Sequence, residues 1–176
     1  MPKWVGLSLL LLTCSVANAQ EESRHESWPY GDWVSEAETV LGEQDEMITC
    51  SVTSKTEDGV AIHVNQFNLD GGPPDFYPPI EILHGLGTAG VRSELLVSDL
   101  VFDDGLVLSA PVDGFSDDGK ARHRAILAAM ASHRSVGLSG TALSAPISLK
   151  GFADAYRQMG RICGFPTEDL AGGQRQ

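Results

Sequence analysis

Histidine and acidic side chains are the residue types in this chain that could support acid–base or metal chemistry. The chain has five histidines and 24 aspartates and glutamates. His123 and His133 flank one predicted helix ten positions apart, a spacing that does not put two metal ligands on one helix face. His63 and His84 fall on different predicted strands, and with Asp99 they are scattered polar residues from which a small hydrolase site could be built. Because no third metal ligand and no catalytic motif accompany them, we predict no catalytic residue, no metal site and no cofactor.

The cysteines indicate a different chemistry, the formation of one disulfide bond. The chain has three cysteines, and Cys14 lies in a predicted signal peptide. Its removal leaves Cys50 and Cys163, and an even pair in an exported protein usually joins. Each lies on the inward face of its predicted element, so we predict a Cys50–Cys163 disulfide. Two free buried thiols are the alternative, and a cysteine–histidine catalytic pair has no local motif to support it.

One glycine-rich stretch has the spacing of a phosphate-binding loop. In 85–90 (GLGTAG) the glycines recur at steps of two and three, as in GxGxxG. That motif needs a strand before it and a helix after it, whereas 92–102 is typical of a strand, so we reject dinucleotide binding. Asp117-Asp118-Gly119 lacks the further oxygen ligands of a calcium loop and instead predicts a helix start, where acids complement the helix dipole.

Residues 1–19 have the pattern of a secretory signal peptide. Lys3 supplies the positive charge, and 5–15 form an apolar run too short to span a bilayer. The small residues at 17–19 then suit a signal peptidase. We predict cleavage after Ala19, a periplasmic or secreted location, and no integral membrane segment after cleavage.

The charge of the chain bears on its partners. The formal net charge is −12, which repels nucleic acid and anionic membrane surfaces. We therefore exclude nucleic acid as a partner. Such acidity could attract a basic partner, although simple solubility explains it as well, and the sequence makes no prediction about oligomeric state.

Alternating apolar residues and turn signals predict a chain dominated by strands. Residues 47–54 and 60–67 predict one antiparallel hairpin, and 95–102 with 106–110 predict a second around an Asp-Asp-Gly turn. Further strands are predicted at 80–86 and 136–143, and a helix at 119–132. Residues 20–27 and 167–176 are predicted to be flexible, which leaves 28–166 as a single β-rich domain.

The segment Ser148–Cys163 predicts an amphipathic helix over 149–162. Apolar residues recur there at steps of three and four and so share one helix face; they are Leu149, Phe152, Tyr156, Met159 and Cys163. Ser148 occupies the predicted N-cap position, and Gly164 with Pro166 ends the helix.

Three segments carry a resemblance to a known family. They are 31–33 (GDW), Cys50 and 147–155 (ISLKGFADA). Together they resemble the invasion-associated locus B family of exported bacterial proteins, whose closing "SLKGF" helix the last segment looks like. The resemblance implies a β-rich periplasmic or secreted protein without an established enzymatic activity. Family members commonly have a cysteine just after GDW, where this chain has Ser35 and Glu36, and often a further mid-chain pair that it lacks, so the disulfide here must be its own.

These observations predict a mainly β fold, an antiparallel sandwich or partly closed barrel with two short helices, the C-terminal one packed on the sheet. An α+β sheet with both helices on one face is the alternative. We expect an exported, non-catalytic protein that binds another protein or a cell-envelope component. The alternative function is a small periplasmic hydrolase or inhibitor-like ligand binder with a site made of scattered polar residues.

Overall fold

A computed structural model describes residues 23–42, 45–54, 59–84, 93–94, 99–110, 115–140, 145–168 and 170. The signal peptide predicted at 1–19, the glycine loop at 85–90 and residues 171–176 of the predicted tail lie outside the described residues.

The larger of two antiparallel sheets has six strands that follow one another in sequence order. These strands are β1 (Ser23–Tyr30), β2 (Trp33–Leu41), β3 (Glu46–Ser54), β4 (Val60–Phe67), β5 (Ile80–His84) and β6 (Ser93–Glu94). The first predicted hairpin is confirmed, since β3 pairs with β4 with Val52 opposite Val64.

The start of this sheet differs from the prediction that residues 20–27 are flexible. Strand β1 begins at Ser23, which lies opposite Val40, and it pairs with β2 as far as Tyr30 opposite Trp33. Strand β1 lies at the edge of the sheet, where polar side chains and Pro29 are tolerated because one side of the backbone needs no strand partner. The polar composition of residues 23–27 therefore does not reveal that they belong to a paired strand.

The smaller sheet has four strands in the order β10-β9-β7-β8. They are β7 (Asp99–Phe102), β8 (Val107–Ser109), β9 (Ser135–Leu138) and β10 (Ile147–Ser148). The second predicted hairpin is confirmed for its described part, since β7 and β8 pair around the Asp-Asp-Gly turn with Val101 opposite Val107; residues 95–98 of its first predicted arm lie outside the described residues. The predicted mainly β fold is confirmed as two antiparallel sheets, and the described strands form no closed barrel.

Helix α1 (Asp117–Ser132) begins two residues before the predicted bound of 119, at the acidic pair that the sequence assigns to a helix start, and it ends at the predicted residue. The Gly119 amide donates to the Ser116 hydroxyl at 3.1 Å, and Asp117 and Asp118 occupy the first turn. These contacts are the cap and dipole interactions expected of a helix N-terminus.

Helix α2 (Phe152–Cys163) begins later than predicted. The predicted N-cap at Ser148 is wrong: Ser148 belongs to β10, and its hydroxyl donates to Asp32 Oδ2 at 2.7 Å. The residue before the helix is Gly151, whose φ of 95° is left-handed. The end of the helix at Gly164 is confirmed, with the Gly164 amide donating to the Gly160 carbonyl.

The predicted apolar stripe of α2 is buried against the inner face of the larger sheet. Phe152, Tyr156, Met159 and Cys163 all belong to one core cluster, which includes residues of both sheets and both helices. The Trp33 and Phe152 rings meet edge to face with centroids 4.9 Å apart. None of the helices among the described residues is long and apolar enough to cross a bilayer.

A Cys50–Cys163 disulfide joins β3 to the last residue of α2, as predicted. The two Cα atoms lie 6.1 Å apart and the cysteines are 113 positions apart in sequence. The bond therefore connects the first half of the larger sheet to the C-terminal helix that covers it.

Candidate binding face

The outer face of the larger sheet, opposite α2, carries a shallow depression of about 420 Å³. We call it the sheet-face groove. It is lined by His25, Glu36, Glu38, Thr49, Ser51, His63, Asn65 and Phe67. These residues share a face because strand side chains alternate: their neighbours Cys50, Val52, Ile62 and Val64 are in the core.

The strand register arranges the groove residues in rows across the sheet. In one row His25 lies opposite Glu38, Glu38 opposite Thr49, and Thr49 opposite Phe67. In the adjacent row Glu36 lies opposite Ser51, and Ser51 opposite Asn65. Directly opposite positions bring Cβ atoms within about 4.5–5.5 Å of each other. The groove is thus a compact surface on four paired strands, β1 to β4.

The two histidines of the groove have different surroundings. His63 is buried, 8% exposed, and its Nδ1 lies 2.8 Å from Thr53 Oγ1. The side chain of His25 is 60% exposed, and its Nε2 lies 3.6 Å from Glu36 Oε1. His63 is therefore held in place by its neighbours, while His25 is accessible at the rim.

The scattered residues considered for a hydrolase site, His63, His84 and Asp99, lie on three different strands of the two sheets. The backbone of His84 pairs with Val60, three residues along β4 from His63. Asp99 lies on β7 of the smaller sheet, where its Oδ2 accepts a bond from the Ser139 hydroxyl at 3.3 Å. The described residues contain no group of three or more histidine, cysteine or acidic side chains placed to hold a metal ion.

A second depression, of about 530 Å³, lies where α1 ends and α2 begins. Two of the arginines that line it are paired with acids: Arg157 contacts Asp154, and Arg134 Nε donates to Asp103 Oδ2 at 2.8 Å. The Arg134 contacts hold the pKa of Asp103 below its ordinary value. This region therefore joins the 103–104 turn to the end of α1.

His133 belongs to the same region and is linked to the neighbouring turn. Its Nε2 lies 3.1 Å from Asp104 Oδ2, and its ring packs on Phe102 with centroids 4.9 Å apart. Partial burial opposes its charge, but bonding to the Ala129 carbonyl and to the Asp104 carboxylate outweighs burial and raises the pKa of His133.

The most specific sequence motifs meet one another away from the sheet-face groove. The Trp33 indole donates to the Ser148 carbonyl at 2.9 Å, and the Asp32 amide donates to the Lys150 carbonyl at 3.0 Å. Gly151 packs so closely that an added Cβ would collide with the Tyr30 carbonyl oxygen. The GDW and SLKGF segments therefore have a structural role, the attachment of the start of α2 to the β1–β2 turn.

Sequence reasoning identified only His63 among the groove residues. Thr49, Ser51 and Asn65 alternate with core residues, and that alternation was a usable signal. It was not specific, because a polar face is the ordinary solvent face of an antiparallel sheet.

Comparison of the chain with protein-family models, with curated proteins and with solved structures gives no match. The groove is therefore interpreted from its own geometry.

Proposed function

We propose that this chain is an exported, non-catalytic binding protein that holds a protein or cell-envelope component on its sheet-face groove. The observation that carries the proposal is the set of polar side chains arranged in rows on four paired strands. Because strand pairing fixes the backbone that carries these side chains, a partner would bind them without ordering that backbone, which lowers the entropy cost of binding.

Two further observations support binding rather than catalysis. His63 contacts Thr53 within the larger sheet, whereas Asp99 belongs to the smaller sheet, so these two candidate residues are held by separate parts of the fold. The signal-peptide pattern and the resemblance to the invasion-associated locus B family both favour export, and the resemblance also implies a protein without an established enzymatic activity.

The test is capture of envelope components by the immobilised mature chain, compared with a variant whose groove is filled. Ser51→Tyr places a ring in the centre of the groove, and the strand tolerates tyrosine well. Ser109→Tyr is the matched control, since Ser109 is an exposed strand residue of the smaller sheet. Near-ultraviolet circular dichroism establishes that both variants are folded.

We expect one component, identified by mass spectrometry, to be retained by the wild type and by Ser109→Tyr and lost with Ser51→Tyr. Equal capture by all three proteins would contradict the proposal, because binding would then lie elsewhere.

A further inference from the structure

The hydrogen-bonding groups of the sheet-face groove are dominated by acceptors. Glu36 and Glu38 offer only acceptor oxygens when ionised, whereas Thr49, Ser51 and Asn65 can both donate and accept. Among the described residues that line it there is no lysine or arginine, and its most exposed imidazole, His25, already faces Glu36. A ligand that complements this groove must therefore supply donors, and a positively charged donor fits best.

The two carboxylates have a regular spacing along β2. Glu36 and Glu38 are separated by one residue, so both project from the outer face, with Cα atoms roughly 7 Å apart for a strand rise of about 3.3–3.4 Å per residue. An extended peptide has the same repeat. Basic residues at alternate positions of such a peptide, lying along β2, would each meet one carboxylate.

An apolar patch borders the carboxylates and is independent of charge. Phe67 is 42% exposed and lies across β3 from Glu38, with Thr49 between them. Met47, also 42% exposed, lies two residues before Thr49 on β3, so its side chain projects from the same face of the sheet. A lysine or arginine stem packs well on such a surface while its head group meets a carboxylate, and a cation over the Phe67 ring gains a further attraction.

We infer that the sheet-face groove binds an extended, positively charged peptide segment of a partner protein, with basic residues at alternate positions against Glu36 and Glu38 and an aliphatic stem on Phe67. This inference rests on the proposed function and adds the chemical class of the ligand. The charge of −12 on the whole chain also draws a basic segment toward the protein over long range.

The experiment is a fluorescence anisotropy titration of the mature chain with a labelled Arg-Ala-Arg-Leu peptide. A Glu-Ala-Glu-Leu peptide and a neutral chito-oligosaccharide serve as competitors of other chemistry. We expect Glu36→Gln and Glu38→Gln each to weaken the Kd roughly 2- to 5-fold, and the double variant roughly 5- to 20-fold. Glu46→Gln is the matched control. Glu46 is exposed on β3 but lies three residues from Thr49, so its side chain belongs to the opposite face of the strand.

Binding of the basic peptide that is weakened by the groove variants and unchanged by Glu46→Gln supports the inference. Equal weakening by all charge variants would overturn it, because attraction to the acidic chain as a whole would then explain binding. Displacement of the peptide by the neutral oligosaccharide would also overturn it.

The failure of this inference is distinguishable from failure of the proposed function. If the envelope component is lost with Ser51→Tyr but the basic peptide neither binds nor displaces it, the peptide assignment is wrong and the groove remains a binding site. If no component depends on Ser51, the proposed function itself fails.

Discussion

Replacing Gly151 by alanine should destabilise the protein much more than the same change at Gly105. Both glycines have left-handed backbones, with φ of 95° and 91°, so alanine costs about 1–2 kcal/mol in backbone strain at either position. A Cβ added at Gly105 would meet no atom within 4 Å. A Cβ added at Gly151 would overlap the Tyr30 carbonyl oxygen, because it would lie much closer to that atom than the 3.0 Å below which Cβ contacts essentially never occur.

The additional cost at Gly151 comes from the contacts that join the two motif segments. Relief of the collision must separate Gly151 from Tyr30, which pulls on the Trp33–Ser148 bond of 2.9 Å and the Asp32–Lys150 bond of 3.0 Å. Each bond contributes about 0.5–1.5 kcal/mol net. With the backbone strain included, we expect a loss of roughly 2–5 kcal/mol for Gly151→Ala and about 1–2 kcal/mol for Gly105→Ala.

Urea unfolding followed by tryptophan fluorescence measures both losses, provided that the dependence of the free energy on urea keeps the same slope in all three proteins. Equal losses for Gly151→Ala and Gly105→Ala would refute the reasoning, because the close approach to Tyr30 would then contribute nothing.

Three further predictions concern the core and the charged contacts. Reduction of the Cys50–Cys163 bond opens a loop of about 113 residues and should cost about 4–5 kcal/mol in the chain-entropy model; an unchanged melting temperature under reducing agent would contradict this. Phe152 is 0% exposed, so Phe152→Ala should cost about 3–5 kcal/mol in denaturant melts, and a loss below about 1 kcal/mol would show a loosely packed site. Because the folded state raises the pKa of His133 above 6.5, the stabilisation from its contact with Asp104 is fully present below pH 6.5 and is lost as the pH rises through the folded-state pKa. Melts of the wild type and His133→Gln should therefore converge as the pH rises, and a constant difference between them would contradict the assigned direction.

Much of the fold could be predicted because burial in strands and helices leaves a periodic signal. Val52 and Val64 alternate with polar neighbours and were placed on paired strands, and Phe152 and Met159 recur at helical spacing. The start of α2 could not be predicted in this way. Ser148 suits an N-cap locally, but its hydroxyl bonds to Asp32, 116 positions away in sequence.

The sheet-face groove was less predictable than the fold, because the register of strands β1 to β4 decides which side chains lie next to one another. Glu36 and Glu38 form an undistinguished acidic pair in the sequence. They become part of a groove only because β2 pairs with β3 so that these residues lie opposite Ser51 and Thr49. Similarly, Phe67 ends a predicted strand, and its exposure beside polar side chains depends on the pairing of β3 with β4.

The covering of the larger sheet by α2, the last helix in the sequence, predicts an order in which the chain completes folding. Strands β1 to β4 are sequential neighbours joined by connections of at most five residues, so their hairpins close over short loops and can form early. The helix that fills their inner face comes last in sequence, and until it docks Trp33 remains solvated and Cys50 has no disulfide partner. Formation of the Cys50–Cys163 disulfide, which requires an external oxidant to accept the two electrons, therefore follows the docking of α2. A chain interrupted before Cys163 would expose an apolar sheet together with a free thiol, a combination that favours intermolecular disulfides and aggregation.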